Sequence, residues 1–205
     1  MNRAENTVRR KGYRPPSKKV LIVGDGKSEE VYFRSFTGLN PHIRVISKGT
    51  GKVGINEALK KAKGFVKSLS LDPSAGDRVV IVMDLDFRYK LCDVNDMVAR
   101  CEKSGYELYL SNPCFEVWLV NHFCRLTRPS TPEELEKKLC ETMQSVTGRA
   151  YTKSGGISWT EDMLQGAISN SSLVKDDLCN HKWCLENNPS TMVHLLVKSI
   201  LEKPQ

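Results

Sequence analysis

Two short acidic stretches, Gly24-Asp25-Gly26-Lys27-Ser28-Glu29 and Met83-Asp84-Leu85-Asp86, stand at the ends of apolar runs. Acids in that setting have two ordinary uses. One is structural: they bound a strand, and Ser28 and Glu29 suit a helix start by capping and dipole. The other is convergence. Alternate residues of an extended chain point the same way, so Asp84 and Asp86 can aim two carboxylates at one point. If the two runs are neighbouring strands, Asp25, Glu29, Asp84 and Asp86 share one cleft, where they repel one another unless a cation neutralises them. Hard divalent ions such as Mg²⁺ take oxygen ligands of this kind and keep several waters. A cation held this way suits phosphodiester chemistry, in which metal stabilises the attacking and leaving oxygens. The first stretch is not a P-loop and lacks the third glycine of a dinucleotide fingerprint.

Strands must deliver these acids. Val79 to Met83 is five consecutive apolar residues, four of them β-branched, as expected of a strand buried on both faces of a parallel sheet. Lys19–Val23 predicts a first strand, with a helix from about Ser28 burying Val31, Tyr32, Phe33 and Phe36. Ile43–Ile46 predicts a second strand, 47–54 a loop rich in glycine and lysine, and 55–68 a helix. Residues 71–77 carry turn chemistry. A helix over 93–104 and a strand over 107–110 complete the alternation, which implies parallel βαβ units. From Pro113 the pattern turns helical: 113–124, 132–146, 160–177 and 189–202. Thr131 and Pro132 supply an N-cap and an N1 proline, and Asn188 to Thr191 suits the start of the last helix. The chain thus divides into a basic arm (1–18), an α/β core (19–112) and a helical elaboration packed on it (113–205).

With 205 residues, one domain with a substantial core is expected. No apolar run approaches the ~20 residues of a membrane span, and the basic N-terminal stretch has no apolar segment behind it, so no secretory signal is read there. The seven cysteines are scattered and odd in number, which predicts reduced, largely buried thiols and a cytoplasmic setting. Cys179 and Cys184 with His181 form only a fragment of a zinc site. A net charge of +7 makes a polyanionic partner such as nucleic acid plausible.

Beyond these residues, the chain resembles a known family. An acid-Gly turn with a downstream Glu, plus Asp-x-Asp after a later strand, looks like the Toprim domain of topoisomerases, primases and nucleases. The whole chain more closely resembles the RloB-like proteins, through Gly26-Lys27-Ser28-Glu29 with Tyr32-Phe33, Asp84/Asp86, Ser111-Asn112-Pro113-Cys114-Phe115-Glu116-Val117-Trp118, Tyr151-x-Lys153 and Asn188-Pro189-Ser190-Thr191. The resemblance implies a Toprim-like (Rossmann-like) α/β fold and Mg²⁺- or Mn²⁺-dependent nuclease activity. It also implies action in abortive infection beside an AAA- or ABC-type ATPase. The family usually has Glu where this chain has Asp25, one methylene shorter. In Toprim enzymes that Glu handles protons at the leaving or attacking oxygen, so the departure touches rate more than site.

Residue by residue, Asp84, Asp86, Glu29 and Glu116 are the candidate metal ligands, and Asp25 and Glu29 the candidate catalytic groups. Glu116 equally suits a helix's first turn, Asn112 its N-cap, and Trp118 the core. Lys27, Lys48 and Lys52 are expected on the acids' edge, as solvated lysines or phosphate contacts. Tyr151 and Lys153, in a glycine-rich loop, can stack on a base and hold a phosphate or lie exposed. The four histidines form no catalytic pattern. The expected function is a metal-dependent nuclease acting on DNA or on RNA such as tRNA, with a second copy of the chain as a candidate partner. The alternative is a non-catalytic subunit that grips nucleic acid or the ATPase.

Overall fold

The computed structural model describes residues 17–51, 53–86, 88–172 and 187–202. Strand and helix alternate through the first half as the apolar periodicity requires: β1 (Lys18–Gly24), α1 (Lys27–Arg34), β2 (Ile43–Gly49), α2 (Ile55–Ser68), β3 (Arg78–Asp84), α3 (Leu91–Lys103) and β4 (Glu107–Asn112). Then come α4 (Glu116–Asn121), α5 (Pro132–Thr147), α6 (Glu161–Ser172), a two-residue strand β5 (Ser190–Thr191) and α7 (Val193–Leu201). The five strands form one sheet in the order β2-β1-β3-β4-β5. The first four are parallel and β5 runs antiparallel to β4. This is a mostly parallel α/β sheet flanked by helices.

The strand order reverses at β1. From β1 the chain goes out to β2, then crosses back to place β3 on the other side. The crevice beyond the carboxyl ends of β1 and β3 is therefore the topological switch point, where open α/β sheets hold ligands.

Each central strand is buried on both faces. Val20, Ile22, Val80 and Val82 pack with Tyr32, Phe33, Phe115 and Trp118, while Leu21, Val23, Ile81 and Met83 pack with Ala58, Leu59 and Val94. The first cluster also takes in Leu135, Leu164 and Val197, so the helices after residue 113 share a core with the sheet. Thr131 caps α5 as its sequence predicts: its Oγ1 accepts the Glu134 N–H at 3.3 Å and Glu134 returns the bond to the Thr131 N–H at 2.8 Å.

Three boundaries differ from expectation. β2 runs on to Gly49, with Lys48 paired to Val23, so 47–49 is strand rather than loop. The helix expected over 113–124 is confined to Glu116–Asn121: Asn112 ends β4 and its side chain donates to the Asn187 carbonyl at 3.0 Å instead of capping, in keeping with the extended bias of a residue before proline. Ser190 and Thr191 do not start the last helix; they pair with Asn112 and Ser111, and the Ser111 and Thr191 hydroxyls meet at 2.8 Å. Of the expected helix 160–177, residues 173–177 lie outside the described residues, as do Cys179, His181 and Cys184. No helix among the described residues is long and apolar enough to cross a membrane.

Candidate functional site

At the end of β1 the backbone and the first acid are pinned together. Thr50 donates to the Gly24 carbonyl from its N–H at 2.9 Å and its hydroxyl at 3.0 Å, which draws the β2–α2 connection over the turn. Asp25 is buried there, and its Oδ1 accepts the Val53 N–H at 3.0 Å. Glu29 folds back from α1 so that its Oε2 accepts the Gly26 N–H at 3.1 Å. Gly24 makes room for this: a Cβ on it would lie 2.5 Å from the Glu29 Cβ.

Asp84 is the last residue of β3 and shares a cleft with those acids. Asp86 arrives by another route than strand alternation. After Asp84 the chain turns, with Leu85 donating to the Ser111 carbonyl at 3.0 Å and Asp86 to the Pro113 carbonyl at 2.7 Å. Asp86 itself has φ +44°, in the left-handed region that Asp tolerates better than most residues. Its carboxylate lines the cleft and accepts an Arg88 N–H at 2.8 Å.

Glu116 closes the cluster from the start of α4. Its Oε1 receives the Ser28 hydroxyl at 3.2 Å and the Tyr151 hydroxyl at 3.2 Å. The resulting cleft, about 220 Å³, is lined by Asp25, Glu29, Asp84, Asp86 and Glu116, with Lys27, Lys153 and Glu136 among its other residues. Lys153 pairs with Glu136 at 3.2 Å and Lys27 with Glu30 at 3.1 Å.

Charge is poorly tolerated in this space. Burial pushes the Asp84 carboxyl well above the usual carboxylate range, and Glu29, Glu116, Asp86 and Asp25 add to that push. Burial, with Glu116 and Asp25 nearby, raises Glu29 to about 7 against the donated Gly26 bond. Asp84 Oδ1 is buried and has no hydrogen-bond partner among the described residues. A buried carboxylate oxygen without a donor is costly, and a cation would relieve it. Among the described residues, no three His, Cys, Asp or Glu side chains stand ready-made to hold a metal ion.

The family model described as RloB-like protein matches residues 20–200. The chain belongs to the RloB-like family. No curated protein and no solved structure matches it. The span matched by the RloB-like model contains every residue of the cleft just described.

The structure gathers Asp25, Glu29, Asp84, Asp86 and Glu116, with Lys27 and Lys153 at the same cleft. Lys48 goes elsewhere. It shares the face of Val23, and its ammonium lies 6.0 Å from the Phe65 ring, on the α2 side of the sheet. Lys52 lies outside the described residues. Tyr151 is in the cluster rather than on the surface: at 4% exposure its ring packs in the core, leaving no open face for a base. Sequence reasoning missed Glu136 at the cleft and Arg88 beside Asp86, and it read Ser28, which stands in the quoted motif, only as suiting a helix start. Glu136 left one signal, its i+4 spacing from Pro132, which also lines the cleft.

Proposed function

We propose that this RloB-like chain is a Mg²⁺- or Mn²⁺-dependent nuclease, with Asp84 and Asp86 as metal ligands and Glu29 and Glu116 completing or supporting the shell. The observation that carries the proposal is the buried Asp84 Oδ1, without a hydrogen-bond partner among the described residues and set among four further carboxylates at the sheet's switch point. An all-oxygen donor set fits a hard divalent ion that retains several waters and needs few protein ligands. When bound, such an ion supplies charge stabilisation to the oxygens of a phosphodiester under attack.

The chain's own residues would do the rest. Asp25 is the acid/base candidate, moving a proton at its carboxylate. Lys27 and Lys153, on the cleft, would hold phosphate oxygens of the substrate. The net charge of +7 favours encounter with a polyanion. The family resemblance extends the proposal to antiphage defence in company with an ATPase.

One observation favours a second reading, a non-catalytic subunit that binds nucleic acid or the ATPase. Asp25 is the shorter acid and already spends one oxygen on the Val53 N–H. Two variants separate the readings. Asp84→Asn should weaken Mn²⁺ binding while leaving the metal-free fold as stable or more so, because repulsion falls. Asp25→Asn should cut single-turnover cleavage by roughly 10²–10⁴-fold, the usual worth of an acid/base group, with a smaller loss of metal affinity. Metal binding untouched by the first and cleavage untouched by the second would leave the binding-subunit reading.

A further inference from the structure

Tyr151 sits between α5 and α6, 35 residues after Glu116 and 123 after Ser28, yet the three side chains form one buried triangle. The Tyr151 and Ser28 hydroxyls meet at 2.8 Å, and each lies 3.2 Å from Glu116 Oε1. Two hydroxyl protons can fill only two of the three contacts at once, and in every arrangement at least one is donated to Glu116 Oε1, directly or with the other hydroxyl relayed behind it. Both protons are used inside the triangle, so the pair acts on Glu116.

The backbone around Tyr151 is anchored as well. Its carbonyl accepts the Cys140 thiol at 3.6 Å, and the Gly155 and Gly156 N–H groups close a turn onto the Thr152 carbonyl at 3.0 and 2.9 Å. That turn puts Lys153 on the cleft while Tyr151 is held in the core.

We infer that Tyr151 and Ser28 are positioning residues for Glu116, fixing its carboxylate at the cleft through Oε1 and tying the loop that carries Lys153 to the acid cluster. This rests on the metal-site reading proposed above. Groups that orient a metal-site carboxylate are typically worth 10–100-fold in metal affinity. Tyr151→Phe deletes one oxygen and keeps the packed ring; Ser28→Ala deletes the other donor.

The test is Mn²⁺ binding to the full chain, followed by electron paramagnetic resonance and calorimetry, alongside melting temperature. The comparison set is wild type, Asp84→Asn, Tyr151→Phe, Ser28→Ala and Tyr32→Phe. Tyr32 is a useful control because its hydroxyl bonds His122 at 3.0 Å, outside the cleft. Tyr151→Phe and Ser28→Ala should each raise the Mn²⁺ dissociation constant about tenfold, whereas Tyr32→Phe should lower the melting temperature without moving that constant. Mn²⁺ binding lost in Asp84→Asn but intact in both hydroxyl variants overturns the positioning role and leaves the metal site standing. A wild-type chain that binds no Mn²⁺ overturns both.

Discussion

Metal-free folding should weaken as pH rises, and Glu29 makes the effect measurable. Its carboxyl is raised from 4.5 to about 7 by burial and by the nearby Glu116 and Asp25. Between those values the folded chain keeps a proton that the unfolded chain has released. Below about 4.5 both states are protonated and the site costs nothing; above about 7 both are ionised and the whole cost is present. At about 1.4 kcal/mol per pH unit, that interval amounts to about 3 kcal/mol, a large part of the 5–15 kcal/mol or so that a domain has. Asp84, raised chiefly by burial, adds a loss of the same sign. His122 works the other way: burial lowers it to about 4, so folding gains stability as pH rises from there towards 6.5. Comparing wild type with Glu29→Gln cancels the histidine contribution and keeps an acceptor for the Gly26 N–H. Urea unfolding in chelator from about pH 5 to about pH 8 should show wild type losing stability relative to Glu29→Gln, by up to about 3 kcal/mol. Saturating Mg²⁺ should shrink the difference. Parallel pH profiles for the two proteins would refute the buried-charge account.

Two further outcomes follow from the geometry. Gly24→Ala sets a methyl 2.5 Å from the Glu29 Cβ, so it should cost about 1–3 kcal/mol of stability by overpacking and weaken Mn²⁺ binding, both readable in one calorimetric titration with a melt. Lys27→Ala combined with Lys153→Ala should flatten the salt dependence of oligonucleotide binding by roughly 0.7–0.9 in log–log slope per lost phosphate contact; Lys48→Ala, on the α2 side of the sheet, should leave that slope unchanged.

The parts of the site that lie on strong local patterns were legible in the sequence. The β-branched run of β3, the Gly-Asp-Gly turn after β1 and the bounds of α2 all follow from periodicity and turn chemistry, and together they bring Asp25, Glu29 and Asp84 to one edge. Asp86 lies at the same cleft for a different reason, because a left-handed turn, not strand alternation, carries it there. Tyr151 was misjudged because a glycine-rich surface-type loop gives no local sign that one side chain dives into the core. Lys48 was misplaced because strand register, set by pairing with Val23, decides its face, and register is not written in a lysine-glycine segment. The Asn188–Thr191 stretch has the chemistry of a helix start, yet pairing with β4 wins for Ser190 and Thr191.

The cleft draws on both halves of the chain, and that has a consequence for the order in which it can be made. Asp25, Glu29 and Asp84 leave the ribosome well before Glu116, and Tyr151 and Lys153 come later still. A nascent chain that ends before residue 116 has the first acids but neither Glu116, nor Tyr151 and Lys153, nor the helices that complete the core on that face of the sheet. The cleft is therefore completed late in synthesis, when the segment after α5 packs beside Ser28 and Val31 of α1. A truncated product ending before residue 151 would carry the acids without the hydroxyl that meets Glu116 or the lysine that lines the cleft.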